Sequence, residues 1–303
     1  MPDLAFLLYL NRSGSTLVAS RLNEISSIGM SIEGDIPDGI TLPLLDIHDD
    51  SSLEKALDFL FGDTKSSLWG LDRAGIRARL KHHGYPVSFR ALLAASLAEY
   101  FRDRSPAVFV YKRGRYSGKV KELVSAFPDA KFIALIRDPR GIYKSQRSRG
   151  MAENPVPMAL SFNQYANAVL ALSTDPRMHI IRYIDFIRDP VTHTQRFCSF
   201  LGVPYELSED RAYGEQIPET QRHLHDRLDG EIDVNIATEW KSDLDLARVL
   251  TIEFLCRRPM KRLGYSRTGG AMANLAGFCW SVWFFALWAL DVARRRARLA
   301  PTD

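Results

Sequence analysis

The chain has 303 residues, 46% of them hydrophobic and 25% charged, a composition that builds a globular core. Its formal net charge of +4 is too small for general nucleic-acid binding, so a polyanion site has to be a local cluster. Cys198, Cys256 and Cys279 lie far apart, and no histidine has a carboxylate or cysteine at ligand spacing, which points to a reduced compartment and no metal site.

Leu4–Leu10 is a continuous apolar run suited to a strand buried on both faces. No basic region precedes it, so it is expected to be a first strand and not a signal peptide. A helix is expected from Ser15, then a short strand over Gly29–Glu33. Leu53–Phe61 and Ser88–Arg102 have helical periodicity, and Ala107–Tyr111 is β-rich. A helix over Ser117–Phe127 ends at Pro128. Lys131–Ile136 is a further buried strand, followed by helices from about Gly141 to Ser148 and over Met158–Leu172. Met178–Tyr183 is a strand, and the helix Val191–Leu201 is closed by Gly202 and Pro204. This alternation, without hairpin signals, predicts an α/β fold with a parallel sheet flanked by helices. Such sheets bind ligands at the carboxyl ends of their strands. Arg211–Ile236 is polar and irregular, a long loop expected to serve function.

Two strand ends carry anion-binding chemistry. In LLYLNRSGSTLVASRL (Leu7–Leu22) a strand enters a Ser/Gly turn and leaves as a helix. Free amides of the first helical turn, around Gly14–Leu17, and the helix dipole favour a negative ligand. Ser13, Ser15 and Thr16 add hydroxyls, and Arg12 adds a cation. A nucleotide kinase would have a glycine at Tyr9 and a lysine at Ser15, so an ATP-hydrolysing loop is not expected. On this segment alone, an ordinary capped helix remains an open alternative. The second is KFIALIRDPRGIYKSQRSRG (Lys131–Gly150). Arg137 at the strand's end can grip a phosphate bidentately, and Ser145 can reach it from the following helix. Arg140, Lys144, Arg147 and Arg149 strengthen the positive field.

Together these segments resemble the sulfotransferases that use 3′-phosphoadenosine 5′-phosphosulfate (PAPS). In that family an R-S-G-[ST]-T-L loop holds the 5′-phosphosulfate, and an I-R-D-P-R strand end with a later serine holds the 3′-phosphate. FPDAKFIALIRDPR (Phe127–Arg140), RYIDFIRDPVTHTQRFCSFLGVP (Arg182–Pro204) and EWKSDL (Glu239–Leu244) look like further landmarks of the bacterial and carbohydrate-type branch. The resemblance covers roughly Leu4 to Tyr265 and implies a P-loop-like fold.

It also implies roles. Arg12, Ser13, Gly14, Ser15, Thr16, Leu17, Arg137 and Ser145 would bind the donor, with no metal. Lys112 in YKRGRY looks like the family lysine that assists the leaving oxygen, although Lys-Arg-Gly stands where many members have a Lys-x-Pro-type turn. Glu33 falls where the protein-tyrosine and carbohydrate branches place a glutamate base, with Asp35 as its neighbouring competitor. Trp240 and Lys241 are candidates to close over the nucleotide, Trp240 being equally suited to packing. Arg222, His223 and His225 are candidates for substrate contact, and Asp185 resembles a structural acidic landmark. The expected reaction is sulfuryl transfer to an acceptor hydroxyl on a carbohydrate or glycolipid. A small-molecule kinase or a non-catalytic nucleotide-binding module is the alternative.

After Tyr265 the composition changes. Residues 1–266 are expected to form the sulfotransferase domain, and residues 267–303 a hydrophobic helix with a basic tail. Ala271–Leu290 is apolar all round and about 20 residues long, enough for a bilayer span. The RRRAR run from Arg294 would then face outward from a cytoplasmic domain, against the positive-inside tendency. Membrane association without a committed span is therefore expected, a partner chain being the alternative, which places the protein in the cytoplasm at the inner face of the membrane.

Overall fold

The computed structural model describes residues 3–36, 40, 47–63, 66–81, 83–208 and 233–299, with side chains to residue 295. Arg222, His223 and His225 lie outside the described residues.

The chain opens with β1 (Asp3–Tyr9), whose Ala5–Tyr9 are buried, as its unbroken apolar run requires. α1 (Ser15–Asn23) starts at the expected serine. β2 is shorter than expected, Ile28–Met30, and the backbone then runs irregularly through Ile36. That early exit takes Glu33 out of the ladder. α2 (Asp50–Gly62) begins in a capping box of Asp49 and Ser52. α3 (Arg73–Leu80) was not anticipated: three arginines in eight residues mask the spacing of its buried Ile76 and Leu80. α4 (Phe89–Tyr100) follows its Ser88 cap, and β3 is Val108–Lys112.

The single helix expected over Ser117–Phe127 is instead a 3₁₀ turn, Gly114–Gly118, and α5, Val120–Ala126. Gly118 weakens its first turn, and Lys119 leaves helical geometry. β4 (Lys131–Ile136) matches its expectation. α6 (Pro139–Arg147) and α7 (Pro155–Ala171) start earlier than expected because Asp138 and Asn154 cap them and a proline opens each. β5 stops at Arg182, and Tyr183, expected in that strand, begins α8 (Tyr183–Arg188). α9 (Pro190–Leu201) ends at Gly202. Beyond the undescribed stretch come α10 (Trp240–Asp243), α11 (Leu246–Leu255), α12 (Arg257–Arg262) and α13 (Ala271–Leu299).

The strands form one parallel sheet in the order β2-β3-β1-β4-β5. At its centre Phe6 pairs in register with Tyr111 on one side and Phe132 on the other. The Phe6 ring stacks on Phe132 at 5.5 Å and meets Phe127 at 4.8 Å and Tyr116 at 5.8 Å. Fully burying such a ring contributes about 1.5–3 kcal/mol, so this cluster fixes the register of the strands that carry the site. All strands run the same way, so Lys112, Arg137 and the Leu10–Gly14 turn emerge at one edge, beside the point where connections diverge from β1.

α13 docks on this body. Gly277 lies so close to α11 that an added Cβ would stand 2.6 Å from the Leu250 carbonyl oxygen. Asn154 Nδ2 donates to the Phe284 carbonyl at 2.8 Å, and Ser281 and Phe284 are buried.

Candidate functional site

The turn after β1 is shaped by two residues with positive φ, Arg12 at 73° and Gly14 at 86°. Gly14 is required twice over: its backbone is left-handed, and a Cβ would lie 2.2 Å from the Tyr183 ring. The amides of Gly14, Ser15 and Thr16 precede Leu17, the first donor into the helix, at 3.1 Å from the Gly14 carbonyl. Ser13 Oγ is buried with no hydrogen-bond partner among the described residues.

Arg137 comes off β4 beside this turn. Its guanidinium donates to the Arg12 carbonyl at 3.1 Å and the Ile236 carbonyl at 3.2 Å, and lies 4.7 Å over the Tyr183 ring. Its Nε is buried with no hydrogen-bond partner among the described residues. Burial pushes the Arg137 pKa down. Arg12 Nε donates to Ser145 Oγ at 3.1 Å, which brings the two expected anchors together. The Arg12 guanidinium is held down to about 10, first by burial and then by repulsion from Arg149 and Arg137. Arg12 and Arg137 thus bond neutral oxygens, beside buried donors with no partner among the described residues.

The basic helix face expected after Arg137 is neutralised at two of its four positions, Arg140 and Lys144. Arg140 is held by Asp138 at 2.6 Å and Glu253 at 2.5 Å, and Lys144 by Glu239 at 2.6 Å and Asp243 at 3.0 Å. These side chains fasten α6 to α10 and α11, a correction to the expectation that they reinforce the anion site. Trp240 is buried with its ring 3.8 Å from the Arg140 guanidinium, the packing arrangement, while Lys241 beside it is exposed. Asp185 pairs with Arg182 at 2.6 Å at the start of α8, a structural role.

On the other side of β1, Lys112 Nζ lies 3.3 Å from Thr16 Oγ1 and 5.7 Å from the Tyr9 ring centre. Tyr9 donates its hydroxyl to the Glu33 carboxylate. Tyr9 carries no motif beyond being an aromatic at the strand's end, yet it links Glu33 to Lys112. The Glu33 backbone is fixed on both sides: Trp69 Nε1 donates to its carbonyl at 3.2 Å, and Tyr111 donates to the Gly34 carbonyl at 2.7 Å.

Asp35, the competitor, is differently placed. It pairs with Arg113 at 3.0 Å, and that arginine is only 2% exposed and also donates to the Ile36 carbonyl at 3.1 Å. Breaking a buried ion pair from one side costs about 3–5 kcal/mol. Asp35→Asn is therefore expected to lower stability by about that amount, read as an earlier midpoint in chemical denaturation. An unchanged midpoint would show the pair to be dispensable.

Glu33 opens onto a cleft of about 910 Å³. Arg113, Arg115 and Gln164 give it polar walls, and Trp288, Asp291, Val292 and Arg295 of α13 also line it.

A sequence model of the sulfotransferase family matches residues 5–207 of the chain. The omega-hydroxy-beta-dihydromenaquinone-9 sulfotransferase of Mycobacterium bovis is 26% identical over 146 residues, which is 43% of this chain and 35% of that protein. The protein of the same name from Mycobacterium tuberculosis matches equally. The match thus spans about a third of the length of these curated relatives. Among solved structures, the sulfotransferase domain from the curacin biosynthetic pathway is similar at a TM-score of 0.58 and 22% identity, covering 88% of this chain and 99% of that domain. The sulfotransferase domain of the Synechococcus PCC 7002 olefin synthase is similar at 0.55 and 20% identity, covering 88% and 96%. At these identities the two structures speak to the fold.

Proposed function

The chain belongs to the sulfotransferase family, and from that premise we propose that it transfers a sulfuryl group from PAPS to a hydroxyl of a carbohydrate or glycolipid. The observation that carries the reading is the set of Arg12, Arg137 and Ser13: cations bonded to neutral oxygens beside unpartnered buried donors. In this reading Arg137 and Ser145 hold the 3′-phosphate, and Arg12 with the Ser13–Leu17 turn holds the 5′ side. Trp240 and Lys241 act next to this pocket, Trp240 by bracing Arg140 and Lys241 at the rim.

The donor supplies an activated sulfuryl group, so the protein's work is positioning and charge stabilisation, as in loose phosphoryl transfer. Glu33 takes the acceptor's proton as the acceptor oxygen bonds to sulfur and the bond from sulfur to the bridging phosphate oxygen breaks. Lys112, beside Thr16, stabilises the charge left on that oxygen. The polar walls of the cleft suit an acceptor with several hydroxyls.

Calorimetric titration of the full chain with 3′-phosphoadenosine 5′-phosphate (PAP), AMP and ATP tests the donor. PAP is expected to bind far more tightly than AMP, and at a hundredfold excess over Kd to add about 2.7 kcal/mol of stability. Preference for ATP, or indifference to the 3′-phosphate, would return a kinase or an inert module to the front.

A further inference from the structure

α13 has three regions with different surroundings. Gly277, Ser281 and Phe284 face α11 and α7 and are buried. Trp288, Asp291, Val292 and Arg295 follow at helical spacing, beyond that packing, and line the cleft. The opposite surface is apolar and open: Met272, Leu275, Phe278, Val282, Trp283 and Leu290 are each at least 50% exposed. The sequence carries no charged residue from Ala271 to Leu290.

Cations stand at both ends of this open strip. At its start Arg267 bonds Asn274, and Arg257 lies 4.7 Å over the Phe254 ring, itself 5.6 Å from Phe278. At its end Arg294 is exposed, while Arg295 pairs with Asp291 at 2.9 Å on the cleft side. A spanning helix would put these groups on opposite sides of a membrane and would have to peel its buried face off α11. A helix lying flat keeps that packing, buries only the open strip and sets both cationic ends on one surface.

We infer that α13 is a monotopic anchor that lies in the interface of an anionic bilayer and holds the mouth of the cleft at the headgroup layer. An acceptor can then enter from the membrane, its hydroxyl reaching Glu33 while its apolar part stays outside. The docking stands on α13 alone; the nature of what enters the cleft rests on the sulfotransfer reading.

Flotation of the full chain with vesicles tests this. Binding is expected to phosphatidylcholine mixed with phosphatidylglycerol and to be weaker with phosphatidylcholine alone. Trp283→Glu with Leu290→Glu is expected to weaken binding at least about tenfold, with denaturation midpoint and PAP affinity unchanged. Cys279 is an exposed thiol, while Cys198 and Cys256 are buried, so it can carry an environment-sensitive fluorophore. Lipids with shallow quenchers should then quench more than lipids with deep ones. Stronger deep quenching would show a span, because position 279 lies near the middle of Ala271–Leu290. A stable dimer that ignores vesicles would show that a second copy covers the strip. Either result overturns the inference. Loss of PAP binding in protein that still floats would instead sink the sulfotransfer reading and leave the anchor standing.

Discussion

Glu33→Gln is expected to lower kcat by about 100- to 10,000-fold, the range associated with a positioned general base, while leaving PAP affinity unchanged. The amide oxygen of glutamine can still accept the Tyr9 hydroxyl, and the backbone stays fixed through Trp69 and Tyr111. What disappears is the capacity to take a proton. Initial rates of labelled sulfuryl transfer to a glycolipid mixture, beside calorimetric titration of PAP, separate the two effects. Tyr9→Phe should produce a smaller fall, since the carboxylate is kept but loses the hydroxyl that orients it. A Gln variant as fast as the native protein would remove Glu33 from the mechanism. Asp35 would be a poor substitute, because Arg113 already holds it in a buried pair.

Arg137→Ala is expected to cost about 2–5 kcal/mol in PAP binding, a loss of roughly 30- to several thousand-fold, as for other truncations of a buried charged contact. AMP, lacking the 3′-phosphate, should lose little. The comparison matters because Arg137 also bonds the Arg12 and Ile236 carbonyls and so braces the turn. If PAP and AMP weaken together, the arginine shapes the loop and does not read the 3′-phosphate. Arg137→Lys should fall between, keeping the charge without the planar fork.

The strands were legible because each is buried on both faces, so the sequence writes them as unbroken apolar runs: Leu4–Leu10 and Lys131–Ile136 match β1 and β4 within a residue. Helices were legible where an apolar period had room to repeat. α3 and α8 were missed because eight and six residues, rich in arginine or following directly on a strand, show too little of it. In the site, Arg12 and Ser145 could be named separately, but only folding shows them bonded across 133 positions. Charge partners were less accessible still. Arg140 and Lys144 look like free cations in the sequence, and their carboxylates arrive from Glu253 and Glu239, about a hundred residues later. Tyr9 had no motif to mark it.

The placement of β1 at the middle of the sheet has a bearing on descent. In the proposed reaction the nucleotide is gripped by the turn after β1 and from the β4 side, while Glu33 and Lys112 come from the β2 and β3 side, and the cleft runs from Glu33 past Met151 and Gln164 to the last turns of α13. Substitutions on the second flank, or along the last turns of α13, leave the first flank's geometry in place. A lineage can therefore trade one acceptor for another without relearning its donor, and divergence should gather on the β2 side and in the C-terminal helix.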